Sequence, residues 1–203
     1  MASLHAAKAM HPTKALLLET AVQLIDRSGP HGFTVEELLE TSGISKGSMY
    51  HHFEDFNDVI ETAQITRYSR YVDEDNANIA QVLTRVSSRD EMFTAFRAIV
   101  DASSGQERAA SREDRAAIVG QVRHSPKFAA QLAAEQERLT GALTDLAREL
   151  QERGFVKREV DPRLLATFVQ SYSFGRVLDD IAPSHVENDA WTDLILAALR
   201  SIT

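Results

Sequence analysis

The side chains of this chain that could hold a phosphate backbone are concentrated in residues 42–59, SGISKGSMYHHFEDFNDV. A lysine, three serines, a tyrosine and two adjacent histidines occur there beside two glycines. Cations, hydroxyls and the backbone N–H groups at helix starts are the groups with which proteins bind phosphate oxygens. The stretch therefore indicates either a nucleic-acid contact or an ordinary turn between two helices.

Two short helices are predicted on either side of this turn. Thr34 is a good N-cap residue, and Glu37 three positions later completes a capping box. Gly43 ends the first helix, because the residue after a helix commonly needs a positive φ. Ser45 has the residue type that caps the next helix.

A helix over 34–41, a turn over 42–44 and a helix over 45–52 have the proportions of a helix-turn-helix. In that motif the second helix lies in the major groove of DNA with its N-terminus leading. Lys46, Gly47 and Ser48 would then face the bases. Tyr50 and His51 would contact the sugar-phosphate backbone, and N–H groups at Thr34 can bind a phosphate oxygen. The spacing by itself leaves a plain corner between two helices as the alternative.

Catalytic and metal sites find no support in the residue types. The chain has no cysteine, which excludes disulfides, thiolate metal sites and cysteine nucleophiles. His51 and His52 are adjacent, so on a helix their side chains diverge and cannot bind a metal as an i, i+4 pair does. There is no glycine-rich phosphate loop and no nucleophile motif. We expect no enzyme activity, no cofactor and no metal.

The charge of the chain restricts how it could bind a polyanion. The formal net charge is −8, and residues 1–60 hold four cations against eight acids. This charge argues against an extended basic surface for binding nucleic acid. It is compatible with a small DNA-binding domain, here called the head, that contacts DNA through a few helix N-termini and hydroxyls. The amino terminus lacks the apolar core of a signal peptide, and no run approaches about 18 apolar residues. We expect a cytoplasmic protein without a membrane partner.

Helical periodicity continues after the head. A long fourth helix is predicted to end at the polar DEDNAN segment (73–78), followed by helices near 79–86 and 90–102. Residues 103–114 are polar enough for a mobile connection. Ser125-Pro126 and Asp161-Pro162 are start signals for two more helices, with Ser or Asp at N-cap and Pro at N1. A last helix carries the apolar residues between Trp191 and Ile202.

The predicted fold class is therefore all-α, with about nine helices in two domains. A three-helix helix-turn-helix domain is expected over 1–58, in which 1–11 form a flexible segment. A larger helical domain is expected over 59–203.

Residues 13–63 resemble the amino-terminal domain of the TetR/AcrR family of bacterial transcription regulators. The resemblance is carried by GFTVEELLETSGISKGSMYHHFED (32–55) together with Lys14, Leu17, Ala21, Leu24, Gly29 and Val59. It implies that operator DNA is read by a dimer, through the positions occupied here by Thr34, Ser45, Lys46, Gly47, Ser48, Tyr50 and His51. Phe56 stands where the family pattern usually has a lysine, which removes a common phosphate contact.

The same resemblance implies that residues 59–203 bind a small molecule and form a homodimer through the last two helices. Candidates for the ligand pocket are Tyr68, Tyr71, Phe93, Phe96, Val122, Phe128, Phe168, Tyr172 and Arg176, and plain core packing is the alternative role for each. The implied function is a ligand-responsive regulator, a repressor released from a palindromic operator by a small, mostly hydrophobic effector. A helical adaptor protein and a ligand-independent regulator of the same fold are the alternatives.

Overall fold

The computed structural model describes residues 10–83, 85–123 and 125–203, which form α-helices and short connections without a β-strand. The helices are α1 (Pro12–Ser28), α2 (Val35–Ser42), α3 (Lys46–His52), α4 (Phe56–Leu83), α5 (Arg89–Ser104), α6 (Ala109–Gly120), α7 (Pro126–Glu152), α8 (Pro162–Gly175), α9 (Val177–Asp180) and α10 (Asn188–Arg200). Because α9 is a single turn, the all-α prediction of about nine helices is confirmed. Most of the predicted flexible segment 1–11 lies outside the described residues, and His11 is the N-cap of α1.

The described residues divide into two compact units within α4, after Arg67. In the first unit, α1, α2, α3 and the start of α4 surround an apolar core. Leu17, Leu38, Met49 and Val59 are fully buried in that core. The predicted division of functions between residues 58 and 59 stays a prediction.

The second unit, Tyr68–Thr203, has its own core, in which α7 packs on α8 and α5 packs on α10. Both predicted start signals are present. The Ser125 side chain accepts from the Phe128 N–H at 3.2 Å, and the Asp161 side chain accepts from the Leu164 N–H at 2.9 Å. These caps satisfy N–H groups that a helix start leaves without a partner.

The prediction that the fourth helix ends at 73–78 was wrong, because α4 continues to Leu83. The acids of this segment pair with arginines from other helices. Asp75 accepts from Arg108 and Arg115 of the α6 region, and Asp73 accepts from Arg138 of α7. A polar run that is neutralised in this way does not interrupt a helix.

The predicted mobile connection over 103–114 was also wrong. Helix α5 continues to Ser104, and α6 begins at Ala109 after one 3-10 turn. Arg112, within this stretch, is buried and paired with Asp180. Among the described helices, none is both long enough and apolar enough to cross a lipid bilayer.

Candidate DNA-binding head and ligand cavities

Helices α2 and α3 begin with the caps that the sequence predicted. The Thr34 hydroxyl accepts from the Glu37 N–H, and the Ser45 hydroxyl accepts from the Ser48 N–H, both at 3.2 Å. Gly43 ends α2 with φ +66°, a left-handed conformation that favours glycine. The capping box is incomplete, however, because the Glu37 carboxylate pairs with Arg27 instead of reaching back to Thr34.

One side of α3 is buried and the other is accessible. Met49 is fully buried and Phe53 nearly so, and both belong to the core of the first unit, as predicted. The seven residues expected to contact DNA all retain accessible surface: Ser48 is half-buried, and Thr34, Ser45, Lys46, Gly47, Tyr50 and His51 are exposed. All seven are therefore accessible to an outside partner, and their contact with DNA stays a prediction.

Gly47 in the first turn of α3 is not required by the packing of this unit. A Cβ added there would meet no atom within 4 Å, and its φ is not in the left-handed region. Glycine inside a helix costs about 1 kcal/mol relative to alanine. A residue that weakens the helix without relieving a clash is consistent with close approach by an outside molecule.

Three histidines lie beside one another at the end of α3. The ring centroids of His11 and His52 are 4.7 Å apart, and those of His51 and His52 are 5.1 Å apart. The pKa of His52 is lowered, chiefly by desolvation and further by the charges of His11, His51 and Lys14. Within the described ranges, no group of three or more His, Cys, Asp or Glu residues has the arrangement of metal ligands.

Phe56 contributes to the core at the start of α4. Its half-buried ring meets the Phe33 ring edge to face, with 5.6 Å between the centroids. The preceding Asp55 caps α4, since its Oδ1 accepts from the Asp58 N–H at 2.8 Å. The position where the family pattern has a lysine is thus used here for apolar packing.

In the second unit, a first cavity of about 400 Å³ lies among α4, α5, α6, α7 and α8. Its apolar walls include Ile79, Val82, Ile99, Leu139, Leu143 and Val169. Its charged lining residues are Asp75, Arg108, Arg112 and Arg115. A cavity of this size, with mostly apolar walls and a few polar groups, has the usual character of a small-molecule site.

Two further cavities share walls with the first. A second cavity of about 440 Å³ is lined by Tyr68, Arg115, Val119, Val122, Leu132, Gln136, Gln170 and Phe174, among others. Arg115, Gln170 and Phe174 line both cavities. A small apolar extension adjoins the first cavity at Leu143, Val169 and Tyr172 and reaches Phe96.

A hydrogen-bond network crosses the wall between α4, α7 and α8. The Tyr68 hydroxyl donates to Gln136, and the Gln136 amide donates to Gln170. The Gln170 amide in turn donates to the Thr140 hydroxyl at 3.2 Å. Burial raises the pKa of the Tyr68 hydroxyl, and it raises that of the Tyr172 hydroxyl to about 12.

Four of the nine predicted pocket residues line these cavities. Tyr68 and Val122 line the second cavity, Phe96 lines the apolar extension, and Tyr172 lines both the extension and the first cavity. Arg115, Gln136 and Gln170 also line the cavities but were not predicted. Their signal in the sequence, a polar residue on a largely apolar helix face, is weaker than that of an aromatic stripe.

The other five predicted residues, Tyr71, Phe93, Phe128, Phe168 and Arg176, line none of the three cavities. Phe128 is fully buried in the protein interior. The Tyr71 hydroxyl donates to Asp114.

Phe93, Phe168 and Arg176 have other neighbours. Phe93 lies under the Arg200 guanidinium. Phe168 is partly exposed and packs its edge on Tyr172. Arg176 lies over the Trp191 ring.

Helices α8, α9 and α10 expose large apolar side chains. Leu164, Leu178 and Leu194 are each about two-thirds exposed, and Phe168 and Phe174 are partly exposed. A Cβ added at Gly175 would meet no atom within 4 Å. Clustered apolar surface on an otherwise charged protein usually marks an interaction site.

Comparisons with known proteins agree with this architecture. Residues 17–62 match the sequence profile described as bacterial regulatory proteins, tetR family. The chain is 21% identical over 179 residues to the HTH-type transcriptional regulator UidR of Escherichia coli strain K12, an alignment that covers 88% of this chain and 86% of UidR.

Solved structures share the fold. A TetR-family transcriptional regulator from Mesorhizobium loti MAFF303099 superposes with a TM-score of 0.68 at 15% identity, over 93% of this chain and 94% of that one. The regulator FadR of Bacillus subtilis, solved in complex with stearoyl-CoA, superposes with a TM-score of 0.58 at 14% identity, over 91% and 96%. At such identities the likeness establishes the fold alone.

Proposed function

We propose that this chain, whose residues 17–62 match the profile of bacterial regulatory proteins of the tetR family, is a ligand-responsive transcriptional repressor. It acts in the cytoplasm as a homodimer on a palindromic operator in double-stranded DNA. A small, mostly hydrophobic effector releases it, because a ligand that favours one spacing of the two heads depopulates the other.

The observation that carries the proposal is the accessible N-terminal half of α3. Lys46, Gly47 and Ser48 present a cation, a bare backbone and a hydroxyl side by side, and all three retain accessible surface. These groups suit contact with base edges and phosphates in a major groove. The buried Met49 on the opposite side anchors the helix to the core, so the accessible side is held rigidly.

Dimerisation is supported by the exposed apolar side chains of the terminal helices. The helix-turn-helix proteins that read palindromes do so as two-fold dimers, with recognition helices about 34–36 Å apart. A second copy of the chain would cover the apolar surface around Leu164 and Leu194 on α8 and α10.

An effector is supported by the connected cavities of the second unit. Their combined apolar lining and small set of polar groups fit a compact organic molecule. FadR of Bacillus subtilis, which shares the fold, holds stearoyl-CoA. That precedent concerns a different protein, and for this chain it supports only the idea that the fold accommodates a ligand.

Selection from a random duplex pool tests the DNA-binding proposal. We expect the purified full chain to enrich an inverted repeat and to bind it at least about 10³-fold more tightly than a scrambled duplex of equal length and salt concentration. If no duplex is enriched and the chain binds all sequences equally or not at all, the helix-turn-helix is a scaffold and the chain is better described as an adaptor protein.

A further inference from the structure

Resting on the proposed function for the site itself, we infer that the cavities of the second unit take an organic anion with an apolar body. Its acid group is held at Arg115, the cation that lines both larger cavities. A carboxylate is the simplest group of this chemistry.

The charges that line the first cavity do not balance. Three arginines and one carboxylate, Asp75, are its charged lining residues. Arg108 and Arg115 share that carboxylate, with N–O distances of 2.9 Å and 2.7 Å. Two guanidinium groups against one carboxylate leave about one positive charge, which an anionic ligand would neutralise.

The third arginine, Arg112, does not add to this excess positive charge. Arg112 makes two hydrogen bonds to Asp180, at 2.6 Å and 2.7 Å, and both side chains are almost wholly buried. Its remaining donor group bonds the carbonyl oxygens of Ser103 and Gly105. Arg112 is thus neutralised and held in place within the protein, and the excess charge resides on Arg108 and Arg115.

Arg115 has unused hydrogen-bonding capacity. Its Nη1 donates to Asp75, while its buried Nε has no acceptor. A buried donor without a partner destabilises the protein, and more so when the group is charged. An acid group arriving from either cavity would supply the missing acceptor and the missing charge together. Charge-assisted bonds of this kind are the strong ones.

The neighbouring polar groups favour an anion over a neutral polar ligand. Gln136, Gln170 and Thr140 bond to one another, and the Tyr68 hydroxyl donates to Gln136 and interacts with the Arg115 guanidinium. A neutral sugar-like ligand would have to break this network to gain its hydrogen bonds. An acid can accept from the unpaired Arg115 Nε without displacing the Gln136, Gln170 and Thr140 bonds. Its apolar body can extend along Ile79, Leu143 and Val169 towards the apolar extension.

Calorimetric titration of the full chain with two acids and their amides tests the inference. The probes are octanoate with octanamide, and 4-phenylbutanoate with 4-phenylbutanamide, so that each pair differs mainly in charge. We expect at least one acid to bind about tenfold or more tightly than its amide, because the amide cannot form the charged hydrogen bond to Arg115. In Arg115→Met this preference should disappear.

The matched control is Arg148→Met on α7, an exposed arginine that lines none of the cavities. It should keep the preference for the acid. If Arg115→Met does not fold, Arg115→Lys replaces it and should show a smaller preference for the acid than the wild type does, because an ammonium group lacks the guanidinium's Nε donor. A preference equal to that of the wild type would overturn the inference. Equal affinity for acid and amide, or an undiminished preference in folded Arg115→Met, overturns the inference, as does a chain that binds its selected duplex but neither acid.

The same experiment separates this inference from the proposed function. The titrations are made without DNA, so acid binding through Arg115 by a chain that selects no duplex would sustain the cavity chemistry and refute the regulator. Selective DNA binding without acid binding would support the regulator and refute the proposed cavity chemistry.

Discussion

At the scale of single residues, the head contains a helical glycine that its packing does not require. Two glycines lie close together in the head, and they have different causes. Gly43 adopts a left-handed φ of +66°, whereas Gly47 is helical and has open space where its Cβ would be. The first glycine serves the turn between the helices, and in our proposal the second serves the DNA.

Replacement of each glycine by alanine should therefore have opposite effects on stability. We expect Gly47→Ala to raise the free energy of unfolding by up to about 1 kcal/mol, since alanine favours the helix. It should nevertheless weaken binding to the selected duplex. Gly43→Ala should lower the free energy of unfolding by about 1–2 kcal/mol because of its left-handed φ. Urea unfolding and fluorescence anisotropy measure the two quantities, and tighter DNA binding by Gly47→Ala would contradict this reading.

His52 should make the stability of the head depend on pH. Its folded-state pKa lies below the usual 6.5 because of desolvation and the charges of His11, His51 and Lys14. The unfolded chain then binds the proton more readily. The free energy of unfolding is therefore unaffected by His52 protonation above pH 6.5, and it decreases as the pH falls from 6.5 through the folded-state pKa.

Unfolding of wild type and His52→Gln above and below pH 6.5 measures this contribution. The wild type should lose more stability on acidification than His52→Gln does. The exposed His31→Gln serves as control and should follow the wild type. Parallel pH profiles for wild type and His52→Gln would show that the histidines at the end of α3 do not interact in this way.

At the scale of helices, the sequence predicted what depends on local chemistry. Thr34, Ser45, Ser125 and Asp161 were identified as caps from residue type and spacing, and each accepts the expected backbone hydrogen bond. Local rules suffice there, because a cap interacts with an N–H group three residues away.

The errors arose where distant residues decide the outcome. The acids of 73–78 were predicted to end a helix, but Asp75 pairs with Arg108 and Arg115. The polar run 103–114 was predicted to be a mobile connection, but its Arg112 pairs with Asp180. The same cause explains the pocket. Arg115 and Gln170 line the cavities through contacts between helices, which no local sequence pattern encodes. Of the nine predicted pocket residues, most of them aromatic, four line a cavity and five lie elsewhere.

The Arg112–Asp180 pair joins α6 to α9 and should be the costliest ion pair to break. Removal of one partner of a buried pair leaves an unpaired charge, so Arg112→Met should lower the free energy of unfolding by about 3–5 kcal/mol. Arg112→Met combined with Asp180→Leu should cost less than the sum of the two single changes.

The exposed Arg163–Glu137 pair offers a matched comparison. Arg163→Met should cost no more than about 1 kcal/mol, since solvent already screens that pair. Chemical unfolding of the four variants measures these differences. Equal costs for the buried and the exposed pair would mean that α6 is not held through Asp180.

At the scale of the whole molecule, the proposal requires two copies of the chain. Leu194 on α10 is 65% exposed, so Leu194→Asp should leave the monomer folded while placing a charge in an interface. We expect sedimentation to show a dimer for the wild type and a monomer for this variant. Leu16→Asp, at an exposed leucine of α1, is the control and should remain dimeric. A folded Leu194→Asp variant that is still a dimer would place the interface elsewhere.

The central claim is that α3 reads DNA, and changes on its accessible side test it most directly. The measurement is the affinity of folded Lys46→Ala, Ser48→Ala and Tyr50→Phe for the selected duplex and for a scrambled duplex at one salt concentration. Loss of a base contact should cost Lys46→Ala and Ser48→Ala about 1–3 kcal/mol more on the selected duplex than on the scrambled one.

Tyr50→Phe is the internal comparison, since Tyr50 is exposed and the substitution removes only a hydroxyl. It should weaken binding to both duplexes by about 1 kcal/mol, because a phosphate contact carries no sequence information. Unchanged affinity of both Lys46→Ala and Ser48→Ala for the selected duplex would contradict the account and leave residues 42–59 as a turn between helices.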